Sequence, residues 1–149
     1  MNIVDVQNEQ LIVELDEGLI SQWAQQILKI LGEDNIELSV VLTDNEQIRN
    51  LNRDYLGRDK PTNVISFSQQ EGEGLAGRLL GDVVISVEKA SEEATGSDID
   101  LLGRIMQLLV HGICHLTGYN HEDVSREKSL EMGAAEERVL NRLKNPKLF

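Results

Sequence analysis

The sequence predicts a single domain of mixed helix and strand, organised around one buried helix. Three observations predict it. At 149 residues the chain suits one domain that buries roughly two-thirds of its unfolded surface. Its hydrophobic spacing switches repeatedly between a helical period and the strand period of two. In residues 99–113, Ile99, Leu101, Leu102, Ile105, Met106, Leu108, Leu109, Val110 and Ile113 cover nearly the whole circumference of a helix, which marks a helix enclosed on most sides.

Taken in order, Ile3 to Val6 alternate weakly and predict a short first strand. Asp16 and Glu17 open a helix whose inward stripe is Ile20, Trp23, Ala24, Ile27, Leu28 and Leu31, closed by Gly32. Trp23 reads as core. From Ile36 the period becomes two, with Ile36, Leu38, Val40 and Leu42 on one face of a half-buried strand. Asp44 with Gln47 forms a capping-box pattern for a second helix that carries Ile48, Leu51 and Tyr55 inward as far as Gly57.

Pro61 forces Lys60 toward an extended conformation, and Asn63 to Ser68 then read as a strand. Leu79 to Val87 form its hairpin-like partner across a loop rich in Gly and Glu. That loop spells G-x-G-x-x-G at Gly72, Gly74 and Gly77. A dinucleotide fingerprint must open a helix, and here a strand pattern follows, so the loop reads as a surface segment able to act as a flap. Glu88 to Thr95 predict a short helix, and Asp98 caps the buried one. A last helix begins at Glu122-Asp123, turns Leu130, Ala134, Val139 and Leu143 inward, and stops at Asn145-Pro146. No internal repeat or long linker divides the chain.

Composition narrows the function classes. The net charge of −12 excludes an overall basic nucleic-acid binder, because nonspecific binding draws on cations that displace counterions. It permits a local patch, and Arg53, Arg58, Lys60 and Arg78 fall close together in the sequence. The hydrophobic fraction is 40% with only 3% aromatics, so the core is aliphatic. One cysteine, Cys114, cannot form an internal disulfide, and no apolar leader opens the chain, which makes a reducing cytoplasm the expected location. No apolar run approaches the roughly 20 residues of a membrane span.

The chemistry concentrates at His111-Gly-Ile-Cys-His115-Leu-Thr-Gly118-Tyr-Asn-His121, which holds all three histidines of the chain. Residues four apart share a helix face, so His111 and His115 can aim at one point. Gly118 can end the helix and return the chain with His121. Three imidazoles suit zinc or a similar borderline ion and leave a fourth position for water, as in catalytic sites. The spacing is also that of metzincin proteases, but Gly112 stands where those enzymes carry the glutamate base. Protease chemistry is thereby put in doubt. Cys114 is badly placed on the same helix to close a structural site and reads as packing.

These residues resemble the YbeY family of bacterial endoribonucleases, the rRNA maturation factors. The histidine stretch corresponds to the family's HGxxHLxGYDH signature. Asp59-Lys-Pro-Thr-Asn-Val-Ile-Ser-Phe67 corresponds to DKPTDVLSF, and Leu80-Gly-Asp-Val-Val-Ile-Ser86 to LGDIxIS. The resemblance implies a compact α+β fold with a mixed sheet of about four strands and helices packed round it. It implies one zinc ion on His111, His115 and His121, and cleavage of single-stranded or precursor ribosomal RNA in maturation and ribosome quality control. Ribosomal subunits or proteins become expected partners.

Two positions depart from the family pattern: Asn120 replaces the usual Asp, and Leu56 stands where an Arg usually follows the Tyr. Arg58 or Arg53 then substitutes for that Arg. Arg58 and Lys60 are the candidates for gripping phosphate, with His115 at the reacting centre. Two other readings stand beside this one: a metal-dependent hydrolase of peptides or small esters, and a ribosome-assembly binding protein with a structural zinc.

Overall fold

A computed structural model describes residues 1–69, 78–118 and 126–144. The elements run β1 (Ile3–Asn8), α1 (Glu17–Ile30), β2 (Ile36–Thr43), α2 (Asn45–Leu56), β3 (Val64–Ser68), β4 (Arg78–Ser86), α3 (Val87–Thr95), α4 (Leu101–Leu116) and α5 (Arg126–Leu143). The four strands form one sheet in the order β1-β2-β4-β3. β1 pairs parallel with β2 and β2 with β4, while β3 runs antiparallel along β4, with Val64 opposite Ile85 and Ser66 opposite Val83. This is the mixed α+β sheet expected, and the β3–β4 pair is the expected hairpin-like partnership.

Alternation in β2 buries Ile36, Leu38, Val40 and Leu42 against the main core. That core is shared with Ile20, Ala24, Ile27 and Leu28 of α1 and with Ile105, Leu109 and Ile113 of α4. The opposite sheet face carries a smaller cluster of Ile48, Ile65 and Val84 beneath α2. α4 touches α1, α3, α5, β3 and β4, so the helix that bears the histidine pair is the central one. The side chain of Asp16 accepts the N–H of Leu19, and that of Asp44 accepts the N–H of Gln47, so both predicted caps form.

Some boundaries and faces differ from expectation. Asp100, not Asp98, caps α4 by accepting the Gly103 N–H at 2.8 Å. Ser86 ends β4 and caps α3, which makes Val87 the first residue of the helix and not the last of the strand. Tyr55 is 70% exposed instead of inward, its ring edge-on to Phe67 with centroids 5.6 Å apart. On α5, Leu130 is 62% exposed and Ala134 is exposed as well. The inward stripe is Met132, Ala135, Val139, Leu140 and Leu143. Trp23 packs half-buried against the core.

The G-x-G-x-x-G loop, the helix start at Glu122-Asp123 and the stop at Asn145-Pro146 lie outside the described residues. A strand starting at Arg78 does follow Gly77, so no helix N-terminus stands there to hold a pyrophosphate. Among the described residues no helix is long and apolar enough to cross a membrane.

Candidate active site

α4 delivers His111 and His115 from its last turns, with ring centroids 6.1 Å apart and planes inclined by 34°. The helix ends at Thr117, and Gly118 follows with φ +135°, a conformation that side chains with a Cβ rarely adopt. The helix stop expected at Gly118 is therefore present, and the expected return of the chain with His121 lies outside the described residues, as does Asn120.

Both imidazoles line a cleft of about 570 Å³ whose other walls come from α2, the turn after it and edge strand β3. Arg58 and Lys60 line the same cleft, with Asn52, Leu56, Thr62, Val64, Ile65 and Ser66. Of the two arginines that could stand in for the one absent at Leu56, Arg58 is in the cleft. Arg53 is not among its lining residues, and its Nε is drawn to Asp54 Oδ1 at 2.9 Å. Arg78 begins β4 at the end remote from Ile85, the partner of Val64. Of the four cations clustered in the sequence, Arg58 and Lys60 line the cleft among the described residues.

Sequence reasoning missed three supports of this arrangement. Asn52 is 3% exposed, donates from Nδ2 to the Lys60 carbonyl at 2.9 Å, and accepts the Arg58 N–H at its own carbonyl at 3.1 Å. It thereby ties the turn bearing both cations to α2. A polar residue four positions after Ile48, on the inward side of a helix, was the available signal. Arg49 grips Asp59 through two contacts of 2.8 and 3.3 Å. These bonds hold the Asp59 carboxyl below its ordinary range and brace the turn from outside.

The third support is Glu136 on α5, whose Oε1 lies 2.6 Å from His111 Nδ1. Glu136 also lines a second hollow of about 410 Å³ on the other side of His111, with Asn63, Arg104 and Gln107. Arg104 is held there by Glu93 at 3.1 Å and Gln107 at 2.8 Å.

Gly112 sits against the sheet, and the Ser66 hydroxyl donates to its carbonyl at 3.1 Å. Cys114 is fully buried, and that burial pushes its thiol up to about 12, with the nearby Glu136 charge adding to the rise. A thiol held protonated is a packing group and a poor metal ligand. Two imidazoles, one already hydrogen-bonded to a carboxylate, form a donor set that suits a borderline ion. Among the described residues no group of three His, Cys, Asp or Glu side chains converges.

The sequence model of the Endoribonuclease YbeY family matches residues 5–144. The chain belongs to the YbeY endoribonuclease family. It is 40% identical over 146 residues to the Endoribonuclease YbeY of Syntrophotalea carbinolica, covering 97% of each chain. Against that of Geobacter sulfurreducens it is 45% identical over 124 residues, covering 82% of this chain and 83% of the relative. The fold matches the solution structure of a Thermotoga maritima protein with a TM-score of 0.59 at 22% identity, over 97% of this chain and 93% of the other. The family assigns the chain to the nucleases.

Proposed function

We propose that the chain is a zinc-dependent endoribonuclease, specific for single-stranded or precursor ribosomal RNA, that acts in the cytoplasm in rRNA maturation and ribosome quality control. The observation that carries this reading is the sharing of one cleft by His111, His115, Arg58 and Lys60. His111, His115 and His121 would hold the ion, and zinc so held supplies Lewis acidity toward a phosphoryl oxygen and a water acidified to near neutral pH.

The chain's own residues bind and orient the phosphodiester. The Arg58 guanidinium offers paired N–H donors to two phosphate oxygens, and the Lys60 ammonium adds a compact charge. Among the described residues neither has a carboxylate partner that would neutralise it. Both therefore remain available to offset the charge that grows on the phosphoryl oxygens during displacement. Asn52 ties the turn that bears both cations to α2 through the Lys60 carbonyl. The preference for single strands, the ribosomal substrate, and the ribosomal subunit or its proteins as partners follow from the family resemblance.

The test is to incubate zinc-loaded protein with single-stranded RNA, duplex RNA and casein. Cleavage of the single strand alone, abolished by a chelator and by His115→Ala, is the expected result. RNA loss that persists unchanged in His115→Ala identifies a contaminating nuclease and overturns the reading, while casein cleavage favours a peptide hydrolase. Normal ribosome maturation supported by folded His115→Ala would favour an assembly protein with a structural zinc. The cleaved ends then separate two routes. A 2′,3′-cyclic phosphate marks attack by the neighbouring ribose hydroxyl, and a linear phosphate marks attack by water.

A further inference from the structure

We infer that Glu136 is a positioning residue: it accepts the Nδ1 proton of His111 and thereby fixes Nε2 as the nitrogen presented to the metal. This rests on the reading of His111 as a metal ligand and adds to it a tautomer and a partner.

A neutral imidazole carries one N–H, and the hydrogen bond made by one nitrogen decides which nitrogen keeps its lone pair. An ionised carboxylate can only accept, so the nitrogen facing it carries the proton. At 2.6 Å the Glu136–His111 contact is at the short, charge-assisted end of the range. The lone pair is left on Nε2. Glu136 lines the hollow beyond His111 and not the cleft that holds Arg58 and Lys60, whereas His111 lines both. The carboxylate therefore sits on the side of the ring away from the phosphate-facing cations, where it orients His111 without repelling the substrate.

The pair is also anchored at both ends. On α5, the neighbours Ala135 and Val139 are 2% and 0% exposed. On α4, Gly112 follows His111 in close contact with β4. Glu136 itself has 23% of its side chain exposed, against 48% for His111. The contact thus joins two packed helices across 25 residues of sequence, and holds the ring in place whether or not an ion is present. Partners of this kind, which orient a ligating histidine from behind, typically change metal affinity by roughly 10- to 100-fold when removed.

A competing role would make Glu136 the general base of the reaction, and the two roles respond differently to substitution. In Glu136→Gln the amide oxygen still accepts the Nδ1 proton but cannot take a proton from a nucleophile. In Glu136→Ala both capacities are lost. The experiment measures zinc affinity of the full chain by competition with a chelator. Alongside it, the ring-nitrogen shifts of His111 are read by NMR in the metal-free protein at mildly alkaline pH.

The expected result is a wild-type His111 protonated on Nδ1. Zinc binding should be roughly 10- to 100-fold weaker in Glu136→Ala and restored to within a few-fold of wild type in Glu136→Gln. Wild-type affinity in Glu136→Ala, or a wild-type His111 protonated on Nε2, overturns the inference. Wild-type zinc affinity in Glu136→Ala with cleavage abolished in Glu136→Gln assigns the general-base role instead. A wild-type chain that takes up no zinc overturns the metal reading itself, while the His111 tautomer still decides whether Glu136 sets the ring. Because Ala could loosen α5, thermal melting of the metal-free variants accompanies both measurements, and the His111 tautomer of the wild-type chain carries the decision if Ala fails to fold.

Discussion

Gly112 and Val83 are in such close contact that a Cβ added to the glycine would lie 2.6 Å from Val83 Cγ1 and 3.2 Å from the Ser66 hydroxyl. The position directly after the first histidine of the pair is thus a packing contact between α4 and the sheet, with no room for the glutamate that a metzincin carries there. Gly112→Ala should destabilise the fold by about 1–3 kcal/mol, the usual cost of overpacking, as read from urea denaturation midpoints. Gly112→Glu should cost more and should confer no casein hydrolysis. A stable Gly112→Glu protein that cuts casein would show that the packing does not set the chemistry.

The placement of the two arginines predicts opposite outcomes. Arg58→Ala should lower kcat/KM on single-stranded RNA by roughly 10- to 100-fold, the equivalent of losing charge-assisted hydrogen bonds of about 1.5–3 kcal/mol. Arg53→Ala should leave it unchanged, because Arg53 is turned to Asp54 outside the cleft. Arg58→Lys should fall between, since an ammonium cannot make the paired contact. Equal losses in the two alanine variants would refute the assignment of Arg58 as the phosphate grip.

How much of this was legible in the sequence depends on the range of the physics involved. The caps at Asp16 and Asp44, the alternation of β2 and the enclosed α4 are local patterns, and all are present in the fold. The α5 stripe differs from the one its spacing predicts because that helix has few apolar residues. Ala134 and Ala135 offer two registers, and only the tertiary contact selects Ala135. Asp98 and Asp100 are two capping candidates two residues apart, and the choice falls to the one whose carboxylate reaches the Gly103 N–H. Tyr55 continues the inward spacing of α2, yet the helix outruns the sheet cluster beneath it and the ring meets Phe67 at the surface. Glu136 was invisible because nothing local ties a carboxylate on one helix to a histidine 25 residues earlier.

Thr43 supplies a test of the smaller face of the sheet. Its hydroxyl is buried, with the residue 1% exposed, and Oγ1 has no hydrogen-bond partner among the described residues. An orphaned buried hydroxyl loses its hydration on folding without compensation, so exchanging it for a methyl removes a penalty. Thr43→Val should raise stability by about 1 kcal/mol in denaturant titration and leave RNA cleavage unaltered, since Thr43 lies outside the cleft. A destabilised Thr43→Val would mean that the hydroxyl has a bound partner such as water.

Cys114 predicts how stability depends on alkaline pH. Burial is the main cause that moves its thiol from an ordinary 9.0 to about 12 in the folded protein. Between those values the unfolded chain has lost the thiol proton and the folded chain retains it, so unfolding releases a proton. Stability must then fall as pH rises through that window, by about 1.4 kcal/mol per pH unit from this group. Below pH 9 both states hold the proton and the contribution to the slope vanishes. Cys114→Ala should flatten the pH dependence of the urea midpoint across the window relative to wild type, whatever the constant offset from lost packing. A thiol reagent at pH 8 should modify Cys114 only on unfolding, and rapid modification of the native protein would show that the thiol is neither buried nor held protonated.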